Sequence, residues 1–256
     1  MLAQPAYETK AADSREAVIR IRGLNKAFGG NHVLRDFNLD LYRGENVVVL
    51  GKSGSGKSVL IKCIIGLIEP DSGSIRVLGQ EITDLSHAEL DRIRAKVGFL
   101  FQSNALYDSM TVRENLQFPL RRHWIEKGNM DEDALIREAL NSVGLSHTID
   151  MMPSELSGGM RKRIALARTL ILKPDIILYD EPTTGLDPIT GKEIIGLIND
   201  IHAKYNTSSL IISHDMNCVR MTSARIAMLI DGRCYAEGPY DELRASADKN
   251  VKQFFA

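Results

Sequence analysis

Apolar positions fall along this chain in two rhythms. Short continuous runs at 47–50, 97–100, 176–179, 210–212 and 226–230 read as strands buried on both faces. Residues 18–21 alternate loosely, and 75–78 adds a further short strand. Between these runs, 58–67, 188–203 and 216–222 have helical length, and a helical pair from about 240 to 254 closes the chain. Strand and helix alternation at this spacing predicts an α/β domain with a mostly parallel sheet covered on both faces. From about 103 to 172 the second rhythm takes over, and no strand run occurs between about 104 and 172. Segment 131–143 is amphipathic, with Leu135, Ala139, Leu140 and Val143 on one stripe and Gly144 as its stop. Ser86-His-Ala-Glu89 and Thr111-Val-Arg-Glu114 fit the capping box, in which hydroxyl and carboxylate satisfy orphan amides. The expectation is an inserted α-helical subdomain within an α/β domain spanning 17–240. A polar, flexible tail at 1–16 precedes it and a C-terminal helix at 241–256 follows.

Composition narrows the class. Apolar residues make 44% and charged residues 25%, enough for a sizeable core. Thirty-two basic against thirty-three acidic residues leave a net charge of −1, which argues against gripping nucleic acid through bulk charge. No apolar run approaches the ~20 residues of a membrane helix; the most apolar stretch, 60–68, is broken by Lys62. The first residues lack the basic and apolar regions of a secretory signal. Cys63, Cys218 and Cys234 are far apart and show no metal spacing, as expected of reduced small hydrophobes in a cytosolic chain.

The chemistry concentrates at a few points. Gly51-Lys52-Ser53-Gly54-Ser55-Gly56-Lys57-Ser58 fits G-x-x-x-x-G-K-[ST], after a buried strand and before a helix. Glycines let successive amides turn inward as an anion nest, and the helix N-terminus adds donors and positive dipole. Lys57 can reach β and γ phosphates, and the Ser58 hydroxyl can ligate Mg²⁺. The strand at 176–179 delivers Asp180 at its carboxyl end, where a carboxylate can hold the Mg²⁺ shell. Glu181, one residue on, is placed to orient or deprotonate a water. Ser157 can cap the helix that begins after Leu156-Ser157-Gly158-Gly159-Met160, and the two glycines expose its first amides as a second phosphate site. One nucleotide uses both sites if it is sandwiched between two surfaces.

With this ordered set, the sequence resembles the ATP-binding cassette (ABC) ATPases over about residues 18–240. The blocks that carry the resemblance are the P-loop, Gln102, LSGGM at 156–160, YDEP at 179–182, Gly185-Leu-Asp187 and Ser213-His214-Asp215. The resemblance implies a P-loop NTPase (RecA-like) core with an antiparallel β subdomain and the helical insertion. It implies ATP and Mg²⁺ as ligands, and a head-to-tail homodimer in which each ATP lies between one P-loop and the other chain's signature loop. It also implies roles. Phe28 stacks on adenine, and Gly51, Ser53, Gly54, Ser55, Gly56, Lys57 and Ser58 bind phosphate. Ser157, Gly158 and Gly159 face the partner's ATP. Asp187 crosses the dimer interface. Gln102 touches Mg²⁺ or water, together with Ser58 and Asp180. His214 contacts the γ-phosphate and holds the water of Glu181. Met160 departs from the glutamine that many members carry.

Narrower blocks resemble the cassettes of Mce/Mla-type lipid transporters: 100–112, Phe118-Pro119-Leu120-Arg121, 152–160 and Asp187-Pro188-Ile189-Thr190. That resemblance implies a peripheral place on the cytoplasmic face of the inner membrane through a permease. It also implies an Mce-type lipid-binding protein and a STAS-domain protein as further partners, and no nucleic acid. Leu106, Tyr107, Met110 and Phe118 are then a docking groove for a permease helix, or else packing within the insertion. Another cargo, or a non-transport role in assembly or cell division, stands as the alternative.

Overall fold

The computed structural model describes residues 15–123 and 131–255. Most of the expected tail therefore lies outside the described residues, as does Ala256. Glu16, at the end of that tail, is tied down: its carbonyl accepts the Arg43 amide at 2.9 Å, and its carboxylate accepts the Arg43 guanidinium at 2.7 and 2.8 Å.

Ten strands form two sheets. β1 (Ala17–Phe28), β2 (Asn31–Tyr42), β4 (Ser72–Val77) and β5 (Gln80–Glu81) make an antiparallel sheet in the order β2-β1-β4-β5. β3 (Asn46–Leu50), β6 (Val97–Leu100), β7 (Ile176–Asp180), β8 (Ser208–Ser213), β9 (Arg225–Ile230) and β10 (Arg233–Gly238) make the second, in the order β10-β9-β3-β8-β7-β6. All its pairs are parallel except β10 on β9. The helices are α1 (Lys57–Ile64), α2 (His87–Ala95), α3 (Val112–His123), α4 (Glu132–Ser142), α5 (Gly158–Leu170), α6 (Pro188–Tyr205), α7 (Met216–Thr222), α8 (Tyr240–Arg244) and α9 (Lys249–Lys252). The two short helices α8 and α9 stand where the helical pair from about 240 to 254 was expected, and they divide the segment given as a C-terminal helix at 241–256.

The unbroken apolar runs have a simple cause. Val47 and Val49 of β3 join a core with the antiparallel sheet, α1 and α2. Val48 and Leu50 point the other way, into a core with α3–α7. Ile176 and Leu178 against Ile177 and Tyr179 divide identically on β7. Both faces are dry, so no polar position interrupts the run.

Three elements were not predicted: β2, β5 and β10. Each closes a hairpin through two residues of positive φ, at Gly29-Gly30, Leu78-Gly79 and Asp231-Gly232. On α4 the buried stripe is Ile136, Ala139 and Leu140, with Leu135 only partly covered. Gly144 does stop that segment, at φ 71°. Both capping boxes form: Ser86 with Glu89, and Thr111 with Glu114. α1 ends before 67 because Gly66 turns left-handed at φ 65°. Burial pushes the thiols of Cys63 and Cys234 up to about 11 and that of Cys218 to about 12, so they stay protonated at neutral pH. Among the described residues no helix is long and apolar enough to cross a membrane.

Candidate active site

Strand order builds the site. β3, β8, β7 and β6 lie side by side and parallel, so their carboxyl ends deliver four sequence blocks in a row. The P-loop follows β3, His214 follows β8, Asp180 ends β7 and Gln102 follows β6.

The P-loop turns from β3 into α1 with Gly54 at φ 76° and Gly56 at φ 100°. A Cβ on Gly56 would meet Val33 Cγ1 at 2.5 Å, and one on Gly51 would meet the Leu229 carbonyl at 2.8 Å, so side chains there would force the cradle apart. Lys57 is buried. Its ammonium donates to the Gly51 and Lys52 carbonyls at 2.8 and 3.0 Å and lies 3.5 Å from Glu181 Oε1. Ser58 donates to Asp180 Oδ1 at 3.0 Å. Burial pushes the Asp180 carboxyl above the usual carboxylate range and the adjacent Glu181 charge adds to this, while the Ser58 bond, Lys62 and Lys57 act against it.

Glu181 does not continue the strand. Its φ is 49°, and its amide donates to the Ile212 carbonyl of β8 at 2.9 Å. This turn swings the buried carboxylate between Lys57 and His214, whose Nδ1 stands 2.8 Å from Oε2. A carboxylate only accepts, so the imidazole proton sits on Nδ1 and Nε2 is left open. Asp215 holds the Thr183 hydroxyl at 3.0 Å and caps α7, which fixes the loop that carries His214.

Among the described residues Ser55 Oγ is buried and without a hydrogen-bond partner, and the Lys57 ammonium donates hydrogen bonds to the carbonyls of its own loop. An unpartnered hydroxyl, a cationic donor and an amide-rich turn fit a bound phosphate chain. The Ser58–Asp180 pair supplies the hard oxygens that Mg²⁺ takes. Among the described residues no group of three or more His, Cys, Asp or Glu could hold a metal. A cavity of 460 Å³ runs from Asn31 and His32, next to the β1–β2 turn, to Lys52, Gly54 and Ser55; Ser53 is exposed beside it.

Among the described residues, the remaining expected residues make no hydrogen bond or ion pair to the P-loop, Asp180 or Glu181. Phe28 ends β1 at 48% exposure, with the Lys26 ammonium 5.3 Å from its ring centre. Ser157 caps α5 by accepting the Met160 amide at 3.2 Å, and Met160 packs on the core, which accommodates the departure from glutamine. A Cβ on Gly159 would meet Thr190 Cγ2 at 2.6 Å, whereas Gly158 faces open space. Among the described residues no hydrogen bond or ion pair joins Ser157, Gly158 or Gly159 to the P-loop. Asp187 caps α6, accepting the Ile189 and Thr190 amides at 3.0 and 3.1 Å. The exposed side chain of Gln102 makes no hydrogen bond among the described residues, but its carbonyl accepts from Lys162 at 3.0 Å. The sequence reading missed Lys162, although its spacing with Ala165, Leu166 and Thr169 places it on the inward face of α5.

Comparison with known proteins agrees with this geometry. A family profile described as ABC transporter matches residues 34–184. The probable ribonucleotide transport ATP-binding protein mkl of Mycobacterium leprae is 42% identical over 92% of this chain and 68% of its own length. The intermembrane phospholipid transport system ATP-binding protein MlaF of Haemophilus influenzae is 37% identical over 93% of this chain and 89% of its own. The methionine import ATP-binding protein MetN of Rhizobium etli is also 37% identical, over 93% of this chain and 65% of its own. A solved dimeric ATP-binding cassette in a post-hydrolysis state, bound to ADP and Pi, superimposes with a TM-score of 0.78 at 32% identity, over 86% of this chain and 98% of that one. With a P-loop, an Asp180–Glu181 pair and a His214 loop assembled on this fold, and with relatives that match nearly its whole length, the chain belongs to the ABC transporter family of ATP-binding cassettes.

Proposed function

We propose that this chain binds and hydrolyses ATP as the energy-supplying subunit of a membrane transporter. In this reading it works as a head-to-tail homodimer, attached through a permease to the cytoplasmic face of the inner membrane. The observation that carries the reading is the Glu181 carboxylate held between Lys57 and His214, next to the Ser58–Asp180 pair. Lys57 and the P-loop amides bind the phosphates. Ser58 and Asp180 would hold Mg²⁺, with Gln102 at the edge of its shell; bound there, the ion neutralises phosphate charge. Glu181 orients a water and accepts its proton, and His214 keeps that carboxylate in place while its Nε2 faces outward. Phe28 offers a ring for adenine. Ser157, Gly158 and Gly159 present the α5 amides to the partner's nucleotide, and Asp187 lies at that interface.

For cargo we favour lipid moved between bacterial membranes, with an Mce-type protein and a STAS-domain protein as further partners. The support is the 100–112 and 152–160 blocks together with the phospholipid-transport relative. The ribonucleotide and methionine names of other relatives keep a small polar cargo as the second reading. Stimulation of the reconstituted complex by phospholipid, with none by methionine or ribonucleotides, separates the two.

Glu181→Gln tests the chemistry. It should bind ATP within about threefold of the parent, lose turnover by on the order of 10² or more, and accumulate as an ATP-bound dimer. Hydrolysis retained in the purified variant would remove Glu181 from the mechanism.

A further inference from the structure

α5 carries two cations that reach back to the loop after β6. Lys162 is 1% exposed, and its ammonium donates to the Gln102 carbonyl at 3.0 Å. Six residues on, Arg168 donates to the Asn104 and Ala105 carbonyls at 3.0 and 2.8 Å. Asn104 and Ala105 both have left-handed backbone, at φ 66° and 52°. Consecutive non-glycine residues do not hold that conformation unaided. The loop after β6 is therefore shaped by donors that reach it from α5.

Lys162 is the costlier of the two. An ammonium is buried at a penalty unless it is paired, and among the described residues Lys162 has no carboxylate within ion-pair distance. Burial pulls it down to about 8, with the Asp180 charge acting against that pull. A methionine would fill the same inward position of α5 without the penalty. The position of the ammonium on the backbone of Gln102 gives it a use.

We propose that Lys162 is a positioning residue for Gln102: it anchors the Gln102 carbonyl to α5, sets where the Gln102 amide stands relative to Asp180 and Glu181, and makes that loop move with the Ser157–Gly159 end of the helix. The inference rests on the ATPase reading above, in which Gln102 serves one nucleotide and Ser157–Gly159 the partner's. Lys162 then couples the two ATP sites of a dimer. Its loss falls on turnover and cooperativity rather than on ATP binding, because Lys57 and Ser58 are untouched.

The test is steady-state hydrolysis of ATP–Mg²⁺ by the purified full chain, with melting temperature and amide hydrogen exchange measured alongside. Lys162→Met should lower kcat at least tenfold, leave KM within threefold, bring the Hill coefficient toward 1 and not lower the melting temperature. Lys162→Arg, which keeps donor and charge, should recover at least half of kcat. Exchange at 103–105 should quicken at least tenfold in the Met variant, a readout that does not need turnover. Three outcomes overturn the proposal: a Met variant with kcat within twofold and unchanged exchange, a loss confined to KM, or an Arg variant no better than Met. Should the Met variant not fold, Lys162→Gln takes its place under the same criteria. If neither neutral variant folds while Arg does, the lysine is a structural cation and the positioning role is lost. A parent chain without hydrolysis sinks the ATPase reading instead, and exchange then still decides the anchoring.

Discussion

Tyr179 sits at the heart of β7, fully buried, and its hydroxyl has no hydrogen-bond partner among the described residues. A buried unsatisfied polar group costs about 1–3 kcal/mol, and the phenol is pushed well above its ordinary pKa by burial alone. Tyr179→Phe removes that oxygen and keeps the ring. It should raise unfolding stability by about 1 kcal/mol in urea titration, with ATP turnover unchanged; a loss of stability would mean that the hydroxyl is satisfied in the folded protein. At this scale the sequence was most legible where chemistry demands contiguity. The P-loop and the Asp180–Glu181 pair are local patterns, and the contacts of Lys57 and Ser58 follow them. The direction of Glu181 was not legible. Strand alternation alone would turn it away from Asp180, but a left-handed turn fixed by the Ile212 carbonyl of a neighbouring strand decides where it points. Lys162 escaped for a different reason: a lysine between Arg161 and Arg163 reads as one of a solvated basic run, although its helical spacing with Ala165 and Leu166 marks it as the one of the three that faces inward.

Elements announce themselves by their ends as much as by their interiors. The capping boxes at Ser86 and Thr111 formed as read, because both partners lie within three residues of each other. Asp187 is a cap of the same local kind. The Thr190 hydroxyl, then the Thr190 and Ile189 amides, hold its carboxyl below the usual range. An acid whose pKa is depressed on folding contributes stability above its unfolded value, near 4, and loses it as pH falls through the depressed value. Asp187→Asn keeps a capping acceptor and removes that titration. The variant should therefore unfold with a shallower loss of stability on the acid side than the parent, measured by urea titration from pH 6 down to pH 3; parallel curves would show that Asp187 titrates alike folded and unfolded. Strands were less legible than helices. β2 carries Phe37, Leu39 and Leu41 in strict alternation, yet its pairing with β1 shifts register between Leu24 and Lys26, which breaks the period on either side. β5 and β10 offer little apolar signal of their own, and only the two-residue turns before them mark hairpins.

On the whole molecule, the site exists because four strands that are distant in sequence lie side by side, and no local pattern states their order. The resemblance to a family implied a RecA-like core with a mostly parallel sheet, and the order of its strands came from the structure. The same scale governs how the cassette meets a membrane partner. Of the residues expected to line a docking groove, Leu106 is packed against the helical core, so a charge there would test folding before docking. Tyr107 and Phe118 are different. They are 41% and 39% exposed, their ring centres are 4.9 Å apart, and they join the loop after β6 to α3 on one surface. Apolar area left in water is recovered only when something covers it, at about 25 cal/mol per Å². Phe118→Asp is therefore the sharper change, since it places a charge on that surface without touching Lys57, Asp180, Glu181 or the α5 donors. The variant should fold, keep its melting temperature within a few degrees and hydrolyse ATP within about twofold of the parent. It should also lose at least tenfold in co-purification with the permease proposed above. A folded, active variant that still pulls down the permease at parental yield would place the docking surface elsewhere, and a variant that unfolds would return Phe118 to the helical core.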